Sequence, residues 1–398
     1  MRNQKHFAVV RKCAALVVIA LMATACSSAS TNSSSNGSTA AANEATLTVS
    51  VPCQISGPQP APECLQSVQA YFDQLNASGG VAGHHLRAIG CDAQTDPVLA
   101  ADCVKSALSN SSVLALLGRG GAIAPITGAS IADIGPQSNT PQLGQEENSF
   151  PFDNAAATPG VSVVAKYLLG KGDTRPGILA CTLAACTSDI KDISSFYAAQ
   201  GIQAKGVTVP LAAVDYQPQV TELDHDKVDV VVILEGIAGI VGTLNAAAAQ
   251  GGYAPSWITP FSCDDGATLA QIPAGTQNFY CATLFNPSAS ARAPYVTMMN
   301  KYIGAGKWKM SSQGLNAWLA AQVFVDDVKT ISGPITRQSV LDGMAHLTDF
   351  TSPLLGNAID FSKPGPADAP AYRRSAYFIA EVINHQLVTQ GAEVVTGS

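Results

Sequence analysis

The chain has 398 residues, 47% of them hydrophobic and 13% charged, with a formal charge of −7. A mildly acidic balance with no lysine or arginine run beyond the N-terminus excludes nucleic acid as a partner. From Thr46 onward roughly 350 residues remain, large for one core and usual for two packed domains.

In chain order, Arg2, Lys5, Arg11 and Lys12 precede an apolar run over 14–23. This is the layout of an export signal, and the run is short for a membrane span. Ala23-Thr24-Ala25-Cys26 closes it and resembles a bacterial lipobox, which implies cleavage before Cys26 and acylation of that cysteine, hence a lipid anchor at the cell membrane. Ala23 stands where a lipobox usually carries leucine, so cleavage without a lipid stays open. Residues 27–45 are rich in Ser, Asn, Thr and Ala and bury too little to order themselves, so a disordered tether is expected there.

Short β-rich runs then alternate with amphipathic stretches, the pattern of parallel sheets covered on both faces. Residues 47–51 read as a strand. Leu65, Val68, Tyr71, Phe72 and Leu75 recur at helical spacing, and a Gly-rich turn over 76–83 ends that helix. A strand at 86–89 follows, then a helix opened by Asp96-Pro97, a strand at 113–117, a helix through Ile123, Ile126 and Ile131, a short strand at 141–143, and a helix opened by Thr158-Pro159. The alternation then starts afresh. Strands are expected at 177–181, 206–209, 228–234, 257–259 and 279–284, with helices around Ile190 and over 237–250. The wholly apolar 228–234 suits a strand buried on both faces. Helices at 295–303, 315–331 and 336–347 and a strand at 375–383 complete the chain. The expected fold is α/β, two Rossmann-like lobes with hinge crossovers: 46–158 plus 284–350 in the N-terminal lobe and 159–283 plus 351–398 in the C-terminal lobe.

Outside the signal and anchor, eight cysteines fall as near neighbours: Cys53 and Cys64, Cys91 and Cys103, Cys181 and Cys186, Cys263 and Cys281. Counting does not fix their connectivity. Local pairing is the hypothesis, because each pair closes a short loop beside an expected strand end. No CxxC and no Cys/His cluster supports the rival reading of a metal site.

The segment SVQAYFDQLNASGGVAGHHLRAIGCDAQTDPVLAADCV, with Asn76, Gly79, Gly80, Val81, Gly83, Asp92 and Pro97 in register, resembles the branched-chain amino-acid (Leu/Ile/Val-binding) type of ABC-importer substrate-binding proteins. Leu117-Gly118, Pro125 and Thr140-Pro141 extend the similarity. The resemblance implies the type I periplasmic binding fold and a solute held between two lobes, where strand carboxyl ends present loops and helix N-termini. It implies a membrane permease as partner, no cofactor, and a monomer.

If the resemblance holds, loops from both lobes line the cleft. In the first lobe these are Ser56 to Gln59, then Arg119, Gly120, Gly121 and Ala122, then Gln142 and Leu143. Arg119 replaces the hydroxyls such proteins use for a ligand carboxylate. In the second lobe they are Thr187 and Ser188, which also suit a helix N-cap, then Glu235 and Gly236, and Asp264 and Asp265, which suit an ammonium group. Acceptors are present and hydroxyl donors scarce, so the expected ligand is a small polar solute: an amino acid, an amide or a related compound.

No GxSxG, HExxH, P-loop or GxGxxG occurs, so an enzyme is not expected. The remaining alternative is a ligand-sensing surface lipoprotein that signals to a membrane partner without transport.

Overall fold

The computed structural model describes residues 46–395, apart from 58–59, 121–125, 127, 138–140, 153–156, 183, 210–214, 235–237, 260–262, 271 and 368. Side chains at 141, 157, 184–189, 238–241 and 267 are also outside the description. Cys26 and the expected tether over 27–45 lie outside the described residues.

The first half alternates β1 (Leu47–Cys53), α1 (Glu63–Asn76), β2 (Leu86–Asp92), α2 (Pro97–Ser109), β3 (Val113–Leu117), β4 (Ala132–Ile134), α3 (Pro141–Gly144) and β5 (Ser149–Phe150). These strands form one sheet in the order β2-β1-β3-β4-β5, parallel throughout. Every residue of β1 and of β3 is buried, as a central parallel strand covered on both faces requires.

The second half runs through α4 (Ala157–Lys171), β6 (Pro176–Cys181), α5 (Ala184–Ala198), β7 (Lys205–Val209), α6 (Gln217–His225), β8 (Val230–Ile233), α7 (Ala238–Gly251), β9 (Ser256–Thr259), α8 (Gly266–Leu269) and β10 (Phe279–Thr283). Then come α9 (Ala289–Met299), which ends in a π-turn at Asn300–Gly304, α10 (Ser312–Thr330), α11 (Arg337–Met344), β11 (Ala376–Ile383), β12 (Gln386–Thr389) and β13 (Val394–Val395). The second sheet has the order β12-β11-β10-β9-β8-β6-β7, with β13 on β11. Strands β6 to β10 are parallel and the C-terminal β11 to β13 antiparallel.

Helices α9, α10 and α11 return to the first sheet. Tyr295, Met299, Leu315, Phe324 and Met344 share one core with Val49, Phe72 and Leu117. Helix α10 is buried on nearly all sides, the mark of a helix enclosed by neighbours, and it packs on α1, α11 and β3. The second sheet has its own cores, one on the α4 and α5 side and one on the α6 and α7 side.

The turn after α1 shows why its residues are what they are. Asn76 accepts from Leu86 N and donates to Leu86 O, tying the helix end to β2. Gly80 has φ +79°, and a Cβ there would meet His84 O at 2.1 Å, so only glycine fits. Asp96 caps α2 by accepting from the Val98 and Leu99 amides.

Three sequence expectations are corrected. Residues 141–143 form a short helix, and the fourth strand lies at Ala132–Ile134, placing Ile131 beside a strand instead of in a helix. That strand carries Asp133 with no solvent exposure, an acid that masks a strand pattern unless its partner is known. The expected lobe boundary at 350/351 also shifts, because Leu354, Ile359 and Phe361 belong to the first core. Residues Thr187 and Ser188 do not cap α5, which begins at Ala184.

Disulfides join Cys53 to Cys64, Cys91 to Cys103 and Cys263 to Cys281. Cys181 is also disulfide-bonded; the side chain of Cys186 lies outside the description.

Candidate functional site

Helix α10 is the point on which strand ends of both sheets converge. In the first lobe the chain leaves β3 at Gly118, in the left-handed region at φ +56°, and runs so close to α10 that a Cβ would meet Ala317 Cβ at 2.7 Å. Gly120 follows beside Gln313 and pairs with Gln137, beyond β4. In the second lobe the segment beyond β9 reaches the same helix terminus. Asp265 accepts from Ser312 N at 2.9 Å, and Gly266 N donates to Met310 O at 3.0 Å. The carboxyl-end loops of β3 and β9 therefore both meet the start of α10, which Ser311 caps by accepting from Gly314 N.

Next to this point lies a buried polar cluster that crosses between the lobes. Arg292 of α9 forms an ion pair with Asp264, and the two side chains are 9% and 6% exposed. Arg292 also donates to the carbonyls of Phe285 and Asn286, in the segment leaving β10. The Thr283 hydroxyl donates to the second Asp264 oxygen. Asp264 is thus a structural tie between lobes, which corrects its expected role as an ammonium acceptor: both of its oxygens are occupied by the protein.

Asp265 is held differently. Burial pushes its carboxyl up to about 6, and the neighbouring Asp264 and Glu63 add to the rise against the opposing Ser312 amide. Glu63, at the start of α1, is itself buried and accepts from Lys309 N.

Arg119 is also corrected. Its side chain is 2% exposed and sits inside the first lobe, where Nε and Nη2 donate side-on to both Asp133 oxygens, Nε at 2.8 Å, and Nη2 reaches Glu146 at 3.3 Å. Ser149 donates to the same two acids, and Ile126 N donates to Glu146. Burial opposes the guanidinium charge, but Asp133 and then Glu146 outweigh it and raise its pKa. A cation between two buried acids completes an internal network and is not presented to a ligand.

Ser56 is engaged by Asp92, a residue that sequence reading placed in a motif without a task. The Ser56 hydroxyl and the Ile55, Ser56 and Gln94 amides all donate to the Asp92 carboxylate. Burial works against the charge, but the bonds from Ser56 and Gln94 hold the pKa below the usual value. Asp92 thereby shapes the loop beyond β1. Leu143 is buried at 1% exposure, so it supplies packing, whereas Gln142 beside it is exposed. Gln59, Gly121, Ala122, Glu235 and Gly236 lie outside the described residues, as do the side chains of Thr187 and Ser188.

Among the described residues no group of three or more His, Cys, Asp or Glu side chains is arranged to hold a metal, and no helix is long and apolar enough to cross a membrane.

Solved structures share this fold. The branched-chain amino acid transporter substrate-binding protein of Streptococcus pneumoniae, in complex with isoleucine, superimposes with a TM-score of 0.69 at 18% identity, over 88% of this chain and 99% of that one. A fatty acid ABC transporter substrate-binding protein from Thermomonospora curvata gives 0.71 at 17%, over 88% and 92%. An ABC-transporter solute-binding protein from Rhodopseudomonas palustris in complex with 3,4-dihydroxybenzoic acid gives 0.68 at 17%, over 88% and 98%. At such identities the likeness speaks for fold alone. No curated protein sequence matches the chain. The sequence profile of the family described as periplasmic binding protein matches residues 46–383. A match of that extent decides membership: the chain belongs to the periplasmic binding protein family, whose members are extracytoplasmic binding proteins and not enzymes.

Proposed function

We propose that the protein captures a small polar solute, an amino acid, an amide or a related compound, between the facing strand ends of its two lobes and delivers it to an ABC permease, as a monomer anchored by a lipid on Cys26. The supporting observation is the convergence of the β3 and β9 carboxyl-end loops on the N-terminal turns of α10. Such an arrangement lets a ligand touch both lobes and favour their closed relation.

With Arg119 and Asp264 engaged inside the protein and the exposed Ser56 donating its hydroxyl to Asp92, recognition falls to the backbone amides over 118–122, to Gln59 and Gln142, and in the second lobe to Thr187, Ser188 and Glu235. That set favours a solute rich in hydrogen-bonding groups over one defined by a charge. The ligands named for the similar structures range from isoleucine to a fatty acid and a dihydroxybenzoate, so on this fold the loops and not the scaffold set the solute.

A thermal-shift screen against amino acids, amides, sugars and organic acids tests the reading. A true ligand at about 100 times its Kd stabilises by roughly 2.7 kcal/mol, a readily measured shift. A flat response across the panel rejects solute capture.

A further inference from the structure

A second pocket, lined by none of the strand-end loops, lies between α4, the C-terminal end of α5 and the segment 357–375 that leads into β11. It encloses about 730 Å³, within the range of small-molecule sites. Its walls are apolar where Phe196, Ile359, Pro364 and Tyr372 face inward, and cationic where Lys166, Lys363, Arg373 and Arg374 approach. Asp360 is the only acid on the lining among the described residues, in a chain whose formal charge is −7.

The cations differ in how they are balanced. Lys363 pairs with Asp360 and Arg374 with Glu393. Lys166 lies over the Phe196 ring, 6.0 Å from its centroid. Arg373 donates to the carbonyls of Phe361, Ser149 and Ala371 and stacks on Phe150, its guanidinium carbon 4.5 Å from the ring centroid. Among the described residues it makes no ion pair with a carboxylate, and burial alone draws its pKa down to about 10. A guanidinium does not deprotonate at physiological pH, so its desolvation is offset by neutral carbonyls and one ring unless an anion arrives.

We propose that this pocket binds a small organic anion, a carboxylate carried on an aromatic or alkyl body, with Arg373 and Lys166 meeting the charge and Phe196 and Ile359 the body. None of its described lining residues belongs to the loops assigned above to the solute, and Phe196 lies near the C-terminal end of α5, away from Thr187 and Ser188 near its start.

Calorimetric titration with benzoate, benzamide and inorganic phosphate tests the proposal on the intact protein. The expected result is saturable binding of one benzoate, with benzamide and phosphate each at least about tenfold weaker, because one lacks the charge and the other the apolar body. The double variant Lys166→Ala, Lys363→Ala alters exposed side chains and keeps the fold. It and Arg373→Met are each expected to weaken benzoate by about tenfold or more, while Glu235→Ala, at a residue assigned above to the other solute, leaves benzoate unchanged. Equal benzoate affinity in the wild type and both pocket variants overturns the proposal, as does phosphate or benzamide binding as tightly as benzoate. Loss of benzoate in Glu235→Ala alone assigns the anion to the cleft and also overturns it. A thermal shift given by an organic acid is assigned to this pocket only where the Lys166→Ala, Lys363→Ala variant loses it and Glu235→Ala keeps it, so the two readings fall separately.

Discussion

Arg119 shows how much a single side chain depends on what surrounds it. In sequence it is a lone cation in a Gly-rich loop, open to a ligand. In the structure it stands between Asp133 and Glu146, with Ser149 bridging the two acids. Removing the cation leaves two buried carboxylates with only the Ser149 hydroxyl and the Ile126 amide to hold them. Arg119→Met is therefore expected to destabilise the protein by roughly 3–5 kcal/mol, read as a lower urea midpoint, whereas a contact residue for solute would change affinity and leave that midpoint in place. Asp92 has the opposite history: unremarkable in the motif, it gathers one hydroxyl and three backbone amides and sets the loop beyond β1.

At the scale of elements, the packing of α10 on α11 contains a polar group that the fold does not satisfy. Asp327 of α10 is fully buried, and neither carboxylate oxygen has a hydrogen-bond partner. It faces Gly343 of α11, where a Cβ would lie 2.1 Å from Oδ1, so the helices meet only because that position has no side chain. Burial pushes the acid up to about 8. Because the folded value is raised above the unfolded one, the folded state holds the proton more tightly. Stability is complete below about pH 4 and declines as pH rises toward 8, at about 1.4 kcal/mol per unit. Asp327→Asn removes the ionisation. The variant is expected to match the wild type near pH 4 and to exceed it at pH 8 by a few kcal/mol, measured by denaturant titration across that range; equal slopes with pH would reject the assignment.

For the whole molecule, the contacts around α10 join the two lobes. Asp264 and Arg292 form a buried tie, while Asp265 meets the α10 terminus with a carboxyl raised to about 6 by burial and by the nearby Asp264 and Glu63. The sign follows from the raised value: although the Ser312 amide favours the ionised acid, burial of Asp265 at the α10 terminus is most favourable with the carboxyl protonated and becomes less so as pH rises from about 4 through 6. Small-angle scattering is expected to show a smaller radius of gyration at pH 5 than at pH 7.5, and Asp265→Asn is expected to remove the difference. Identical profiles for the wild type at the two pH values would show that this carboxyl does not govern lobe closure.

The alternation of strands and helices was legible in the chain, because buried parallel strands such as 113–117 and 230–233 must be apolar on both faces whatever lies around them. So were the Asn76 to Gly83 turn, whose glycines answer to local backbone geometry, and the cap at Asp96. The roles of the charged residues, by contrast, emerged from the folded arrangement. Whether Arg119, Asp264 or Asp265 faces a solute or another part of the chain depends on partners 14 to 47 positions away, and local pattern carries no record of such distances. The fourth strand stayed hidden for the same reason: Asp133 is compatible with a buried strand only because Arg119 reaches it from the preceding loop. Local physics writes the elements, and electrostatic pairing across the fold assigns their side chains.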